Sequence, residues 1–239
     1  MVIPVCNEQD NVEPLAREIH AALAGRLRFE TLFVDDGSND GTAAAVLAVR
    51  DAGMPEIRLI RHRKRSGQST AVATGVRHAR APLIGTLDGD GQNDPADLPK
   101  LFDALQSGAG SGLRLVMGHR TTRRDTSLRR LSSKVANGVR GRLLRDGTPD
   151  TGCGIKAFER EAFLDLPRFD HMHRFLPALF QRAGHGVISV PVNHRERTRG
   201  TSKYGLHNRL WVGIVDLFGL VWLIRRPSPS ASANAEEQR

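Results

Sequence analysis

The sequence contains few of the residues that build disulfide scaffolds, aromatic platforms or membrane spans. Among its 239 residues are two cysteines and one tyrosine, and aromatic side chains make up 5%. Two cysteines cannot form a four-ligand metal site, and they are typical of a chain kept in a reducing compartment. Scarce aromatics supply few stacking surfaces for nucleic acid. The hydrophobic fraction of 39% is still enough for the core of one α/β domain.

Motifs of several common enzyme classes are also absent. The chain has no G-x-x-x-x-G-K-[ST] loop and no G-x-G-x-x-G after a strand, which argues against P-loop kinases and Rossmann dehydrogenases. It has no G-x-S-x-G elbow, which argues against a serine hydrolase of the α/β class. Two acidic loops imitate a calcium site, but Pro99 and Leu47 stand where an EF-hand needs its twelfth-position Glu.

Positive charge is abundant and unevenly distributed. The net charge is +9, yet residues 113–145 alone carry +9 and residues 195–209 carry +4, which leaves the rest of the chain at −4. Such segments are typical of solvated helix faces, of nucleic-acid footprints, or of surfaces for phosphates and anionic lipid. The charge pattern alone leaves these alternatives open.

Apolar runs alternate with amphipathic stretches through the first half, which predicts βαβ units and a mostly parallel sheet. The predicted strands are Val2–Cys6, Thr31–Val34, Ile57–Ile60, Leu83–Leu87, Leu113–Gly118, Ile155–Phe158 and Val187–Val192. The predicted helices are Val12–Ala24, Thr42–Ala52, Ser69–His78, Pro95–Ser107, Ser127–Leu144, Arg160–Leu166 and His173–Ala183. No secretory leader is expected before the first strand, because strand character begins at Val2. Ligands of open α/β sheets bind beyond the carboxyl ends of the strands, so the loops there are the candidate site.

The segment Leu210–Ile224 is apolar, with Asp216 as its only charge. As a helix it would extend about 22 Å, short of the roughly 30 Å hydrocarbon core of a bilayer. Its terminal tryptophans and flanking arginines favour an amphipathic or shallowly inserted helix at a membrane interface, and a buried core helix is the alternative. We therefore predict a catalytic domain over residues 1–205, this helix over 206–226, and a disordered tail over 227–239.

Two acidic loops follow predicted strands. Asp88-Gly89-Asp90 places two carboxylates at a strand end, where they suit a hard divalent cation that also binds substrate phosphates. Asp35-Asp36-Gly37-Ser38 suits a carboxylate that accepts hydrogen bonds from a base or ribose. Each loop alone is equally compatible with ordinary turn and capping chemistry.

Seven ordered pieces of the chain together resemble family-2 glycosyltransferases of the GT-A fold. They resemble most the polyprenyl-phosphate sugar transferases, typified by dolichyl-phosphate mannose synthase. The pieces are residues 2–8 (VIPVCNE), 34–38 (VDDGS), 67–71 (GQSTA), 87–95 (LDGDGQNDP), 118–120 (GHR), 150–154 (DTGCG) and 197–205 (RTRGTSKYG). The resemblance implies a Rossmann-like, mixed and mostly parallel sheet flanked by helices.

The resemblance also implies roles for particular residues. The nucleotide site would comprise Pro4, Cys6, Glu8, Asp35, Asp36, Gly67, Gln68 and Asp88. Asp90 and Gln92 would take the Mg²⁺ or Mn²⁺ that bridges the diphosphate. The phosphates of donor and acceptor would be held by Arg120, Arg129, Arg197 and Lys203. Asp88 and Asp90 complete the expected catalytic set with these cations.

The implied reaction moves a sugar from a UDP- or GDP-sugar to a polyprenyl phosphate, with inversion, at the cytoplasmic face of the membrane. A phosphate acceptor is already mostly dianionic near neutral pH, so no catalytic histidine is required, and His171 and His173 are expected in a loop or at a helix start. The alternatives are a GT-A transferase with a soluble or protein acceptor, and a basic nucleic-acid-binding domain. The sequence specifies neither the sugar nor the oligomeric state.

Overall fold

The computed structural model describes residues 1–120, 141, 143, 144, 146–195 and 206–226. Its strands are β1 (Val2–Val5), β2 (Thr31–Asp35), β3 (Ile57–Arg61), β4 (Leu83–Thr86), β5 (Leu113–Arg120), β6 (Lys156–Glu159) and β7 (Gly186–Val192). Its helices are α1 (Gln9–Leu23), α2 (Thr42–Asp51), α3 (Gln68–His78), α4 (Leu98–Ser107), α5 (Arg160–Leu164), α6 (Leu176–Arg182) and α7 (Leu206–Ile224).

The seven strands form one sheet in the order β3-β2-β1-β4-β6-β5-β7. Neighbouring strands from β3 to β4 are parallel, and β5 is parallel to β7. Strand β6 is antiparallel to both of its neighbours, β4 and β5. The predicted mixed, mostly parallel sheet is therefore confirmed, and the reversal at β6 brings its first residue to the edge where β4 ends.

Two apolar layers cover the sheet. One contains α1, α2 and α4, whose buried residues pack with Ile3, Phe33 and Val116. The other contains α3, α5 and α6 and is rich in phenylalanine, with Phe158 and Phe163 stacked at 5.0 Å between ring centroids. Burial on both faces explains why the strands read as continuous apolar runs.

The predicted elements of the first half are confirmed, with shifts at their ends. Helix α1 begins at Gln9 rather than Val12, because its first turn is polar and carries no apolar periodicity. Strand β5 continues two residues past the predicted end, to Arg120. The predicted helix His173–Ala183 begins only at Leu176, after a 3-10 turn over Met172–Arg174. Most of the predicted basic helix Ser127–Leu144 and the tail 227–239 lie outside the described residues.

Helix α7 packs on the second apolar layer through Leu220, which is buried. Arg182 on α6 holds its end, since Nε donates to the Leu223 carbonyl (3.1 Å) and Nη2 to that of Arg226 (2.7 Å). Within the described parts of the chain, no helix combines the length and apolarity needed to cross a bilayer. The predicted helix is thus present, and its predicted membrane contact stays a prediction.

Candidate active site

The strand register gathers the polar loops at one edge of the sheet. Val5 pairs with Asp35, and Asp35 pairs with Arg61, so the residues that follow β1, β2 and β3 lie side by side. The loop after β4 lies beside them because β4 pairs with β1. This edge is the crevice in which open α/β sheets bind ligands.

Backbone and side-chain hydrogen bonds join the loops after β1 and β2. The Asn7 N–H donates to Ser38 Oγ and the Glu8 N–H donates to Thr42 Oγ1, each at 2.9 Å. Asn7 itself lies in the left-handed region, with φ of 52°. Cys6 and Glu8, predicted to line the nucleotide site, are half-buried in this joined pair of loops.

The Asp36 carboxylate organises the loop after β3. Its Oδ1 accepts the Ser66 N–H and contacts His62 Nδ1, both at 2.8 Å, and its Oδ2 accepts the Gly67 N–H at 2.8 Å. Gly67 has a φ of 91°, a conformation that favours glycine. The structure thus gives Asp36 three partners within the protein and places Gly67 at the start of α3.

Asp35 is fully buried one residue earlier. Its Oδ1 accepts the Ser38 N–H at 2.8 Å, and its Oδ2 accepts Arg61 Nε at 3.1 Å. Between them, the two adjacent carboxylates fix the turn over residues 35–38 and the loop over residues 62–67. Gly37 lies where this turn meets this loop, and glycine is required there because a Cβ would lie 2.6 Å from the Arg65 backbone nitrogen.

Gln68 and Asp88, both predicted for the nucleotide site, are in direct contact. Gln68 Nε2 donates to Asp88 Oδ1 at 2.7 Å. Desolvation raises the pKa of the half-buried Asp88 carboxyl, and the positive charge of Lys156 opposes that rise. The two residues line a small cavity with Pro4, Lys156 and His173.

The loop after β4 presents the predicted metal ligands. Asp90 Oδ1 accepts the Gln92 N–H at 3.1 Å, and Asn93 Oδ1 accepts the Asp88 N–H at 3.2 Å. In the described ranges no cluster of three His, Cys, Asp or Glu side chains is arranged to hold a metal by itself. A carboxylate and an amide oxygen fit Mg²⁺ or Mn²⁺, cations that take few protein ligands and share the rest with water and substrate phosphates.

Strand β7 leads back onto this loop and supports it. The Arg195 N–H donates to the Gln92 carbonyl at 3.0 Å, and Arg195 Nη2 donates to Asp94 Oδ1 at 2.6 Å. Arg195 Nη1 also reaches Glu18 Oε2 on α1, at 2.6 Å. Arg195 therefore joins the loop over residues 88–94 to the segment after β7 and to α1.

Arg120 is the one predicted phosphate-binding cation that the described residues include. Its guanidinium binds the buried Asp150 carboxylate in a bidentate pair, with Nε to Oδ2 at 2.6 Å and Nη2 to Oδ1 at 2.8 Å. Although burial disfavours its charge, the hydrogen bond to Asp150 keeps the pKa of Arg120 above its ordinary value. The other three cations, Arg129, Arg197 and Lys203, lie outside the described residues.

Sequence reasoning missed Lys156 and gave His173 no role at the site. Lys156 is buried at the start of β6, and Nζ donates to the Cys153 carbonyl. His173 lies in the 3-10 turn Met172–Arg174, where its Nδ1 contacts Ser69 Oγ at 2.7 Å. Burial lowers the pKa of His173 well below 6.5, which keeps its ring neutral. Neither residue belongs to a recognisable motif, so only the fold assigns them to the site.

Comparisons with known proteins identify sequence relatives that match most of the chain. A family model for glycosyl transferase family 2 matches residues 1–166. Dodecaprenyl-phosphate galacturonate synthase of Rhizobium johnstonii is 33% identical over 233 residues, which cover 94% of this chain and 67% of that protein. Undecaprenyl-phosphate 4-deoxy-4-formamido-L-arabinose transferase of Edwardsiella ictaluri is 33% identical over 207 residues, or 86% of this chain and 62% of that protein.

A solved structure shares the fold. It is the glucosyl-3-phosphoglycerate synthase of Mycobacterium tuberculosis, in complex with Mn²⁺, UDP-glucose and phosphoglyceric acid. The TM-score is 0.70 at 18% identity, and the match covers 93% of this chain and 77% of the other. The predicted GT-A architecture is thereby confirmed. The chain spans only about three fifths to two thirds of the length of the curated relatives.

Proposed function

The chain belongs to glycosyltransferase family 2, and on that premise we propose that it transfers a sugar from a nucleotide-sugar donor to a polyprenyl phosphate. The observation that carries this proposal is the 33% identity, over 94% of the chain, to a dodecaprenyl-phosphate galacturonate synthase. The arginines and lysines of the two basic segments would then supply a positive field for a diphosphate, a lipid phosphate and an anionic membrane surface.

The donor would bind at the edge formed by the loops after β1–β4. Gln68 and Asp88 hold each other in place, which suits contact with the ribose or sugar. Asp36 and Asp35 fix the loops around the base, and Pro4, Cys6 and Glu8 would form the wall beside them. Asp90 and Gln92 would hold Mg²⁺ or Mn²⁺, which when bound neutralises charge on the departing nucleoside diphosphate.

The acceptor chemistry follows from its charge. A lipid monophosphate is largely dianionic at neutral pH, so its oxygen can attack the anomeric carbon without a dedicated base. The bond to the nucleoside diphosphate breaks as the new bond forms, and a single displacement inverts the anomeric centre. Arg120, Arg129, Arg197 and Lys203 would offset the repulsion between the two phosphate groups, as bidentate arginines do.

Helix α7 would place the enzyme at the cytoplasmic face of the membrane. Val215, Phe218 and Trp222 recur at helical spacing and are 57%, 68% and 58% exposed. We call these three side chains the apolar stripe. Arg226 lies over the Trp222 ring, 4.9 Å from its centroid, so a cation borders the stripe. An apolar stripe with a basic border suits peripheral or shallow insertion among anionic lipids.

The test is a transfer assay with a defined acceptor. Purified protein with Mg²⁺ or Mn²⁺ is given labelled UDP- and GDP-sugars in turn, together with undecaprenyl or dolichyl phosphate. We expect label in the lipid fraction with one of the donors, in an acid-labile sugar phosphate of inverted configuration. A parallel reaction offers 3-phosphoglyceric acid in place of the lipid. Transfer to this soluble acceptor alone, or no transfer from any donor, would contradict the proposal.

A further inference from the structure

Lys156 is a buried cation at the centre of the site, and no motif assigns it a role. It is 6% exposed and is the first residue of β6. Because β6 is antiparallel to β4, Lys156 pairs with Thr86, the last residue of β4 and two residues before Asp88. Its long side chain therefore reaches the site edge from the middle of the sheet.

Acidic and polar groups surround the Lys156 ammonium. Nζ donates a hydrogen bond to the Cys153 carbonyl. Burial lowers the pKa of Lys156, and the negative charge of Asp88 is the strongest influence that opposes this fall. Asp150 favours the charge of Lys156 to a lesser degree, and Arg120 opposes it. A buried lysine that lacked such partners would be strongly destabilising, so Asp88 and Lys156 depend on each other.

The loop over residues 150–154 lies directly against Asp88. A Cβ at Gly154 would fall 2.3 Å from Asp88 Oδ2 and 2.5 Å from Asn93 Oδ1, distances that no side chain tolerates. Lys156 ties this loop to β6 by its hydrogen bond to Cys153. Asp88 thus lies between the Gln68 amide and the Gly154 backbone, and it lines the same small cavity as Lys156.

We propose that Lys156 is a positioning residue for donor binding, which holds the Asp88 carboxylate and the 150–154 loop in the geometry that the nucleotide sugar requires. The proposal rests on the proposed function, because it assumes that Asp88 contacts the donor. Lys156 does not itself need to touch the substrate. Its effect on binding therefore has to pass through Asp88, and that dependence can be measured.

The test is a double-mutant cycle of Lys156→Met and Asp88→Asn. Affinity is measured by calorimetry with UDP and with GDP in the presence of Mn²⁺, and KM and kcat with whichever donor the wild type uses. Since loss of a supporting contact typically costs about 10–100-fold, we expect Lys156→Met to raise Kd and KM by that factor with a smaller effect on kcat. In the Asp88→Asn background, Lys156→Met should raise Kd and KM by less than about twofold, because Lys156 acts through Asp88.

Two further variants serve as controls. Lys156→Arg keeps the charge and should recover most of the affinity, whereas Lys100→Met removes a lysine from the surface of α4 and should leave binding unchanged. Equal losses from Lys156→Met in both backgrounds would show that Lys156 acts without Asp88, and would overturn the proposal. Wild-type affinity in a folded Lys156→Met variant would overturn it as well.

Urea unfolding without ligand separates this inference from the proposed function. It is measured for the four proteins of the cycle, which are the wild type, Lys156→Met, Asp88→Asn and the variant with both substitutions. The variant with both substitutions has no unpaired charge and should fold even where Lys156→Met does not. We expect each substitution to lower the free energy of unfolding more when it is made in the wild type than when it is made in the variant that already carries the other substitution. Strict additivity in unfolding would overturn the inference whatever the enzyme transfers, whereas inactivity of the wild type would overturn the proposed function alone.

Discussion

We call the edge of the sheet formed by the loops after β1–β4 the donor edge. The donor edge and helix α7 are held in place by different kinds of contact. At the donor edge, the carboxylates of Asp35 and Asp36 together contact five residues, which are Ser38, Arg61, His62, Ser66 and Gly67. Helix α7 packs on the second apolar layer through the buried Leu220 and the partly buried Leu217, Val221, Leu223 and Ile224. Arg182 also contacts its last turn, and His171 pairs with Asp216. The donor edge is therefore fixed by directional hydrogen bonds, whereas the described part of the helix packs on the domain mainly through apolar contacts and turns its apolar stripe outward.

This contrast suits two different tasks. Catalysis by positioning and electrostatics requires groups whose orientation is fixed before the substrate arrives, which internal hydrogen bonds provide. Binding at a lipid surface requires exposed apolar area, whose contribution depends on area and little on exact geometry. Substitutions at the donor edge should therefore affect catalysis most, and substitutions on the helix should affect location and modestly affect stability.

The largest effect is expected from Asp90→Asn. This change keeps the acceptor for the Gln92 N–H but removes the charge that would bind the divalent cation. Loss of preorganised charge stabilisation at the leaving group should lower kcat/KM by about 100–1000-fold. Initial rates of lipid-linked sugar formation, measured at a series of Mn²⁺ concentrations, give kcat/KM for the wild type and the variant. Asp103→Asn, on the exposed face of α4, is the matched control, and an equal loss in both variants would contradict a metal role for Asp90.

Gly154→Ala should have the next largest effect. The added methyl would collide with the Asp88 and Asn93 side chains, so these side chains or the 150–154 loop must shift. Overpacking of this kind costs about 1–3 kcal/mol of unfolding free energy, and activity should fall further because Asp88 is displaced. Chemical denaturation measures the free energy of unfolding, and the transfer assay measures the activity. A Cβ at Gly110 meets no atom within 4 Å, so Gly110→Ala should change neither the unfolding free energy nor the activity. If Gly154→Ala also left both unchanged, the residues around Gly154 would be less closely packed than their contacts indicate.

The sequence predicted which loops meet at the donor edge, because the residues of those loops follow strands. Polar residues after an apolar run mark the carboxyl end of a parallel strand, and parallel strands end at one edge. Gln68 and Asp88 could thus be assigned to one site, and their side chains are indeed in contact. The order of the strands within the sheet was not needed for that step.

Lys156 and Asp150 could not be assigned in the same way. Lys156 precedes an apolar stretch and looks like any lysine at the start of a strand, and its burial results from the insertion of β6, reversed, between β4 and β5. Asp150 belongs to a matched motif, but its bidentate pairing with Arg120 joins residues 30 positions apart. Contacts of this kind depend on the three-dimensional arrangement of the strands, which local periodicity does not encode.

The apolar stripe of α7 provides a test of the other region. Phe218→Ser removes its most exposed large side chain, and burial of a phenylalanine in an apolar phase is worth about 1.5–3 kcal/mol. We therefore expect binding to vesicles of phosphatidylglycerol and phosphatidylcholine to weaken about 10–100-fold. Sedimentation with vesicles measures it. Ile188→Ser removes an exposed apolar side chain from β7 and should bind as the wild type does; an equal loss there would indicate that the stripe has no special role.

The smallest effect is expected from Asp216→Asn. His171 Nδ1 lies 2.9 Å from Asp216 Oδ2, and both side chains are partly exposed, so the pair should contribute no more than about 1 kcal/mol. For a chain of this length the midpoint of thermal unfolding should fall by about 2–4 °C at most. Asp51→Asn, which removes a surface pair with Arg50, should shift it less. A much larger drop for Asp216→Asn would mean that α7 is an integral part of the domain core. A small drop, combined with weakened vesicle binding in Phe218→Ser, would support a helix whose packing on the domain and contact with lipid can vary independently.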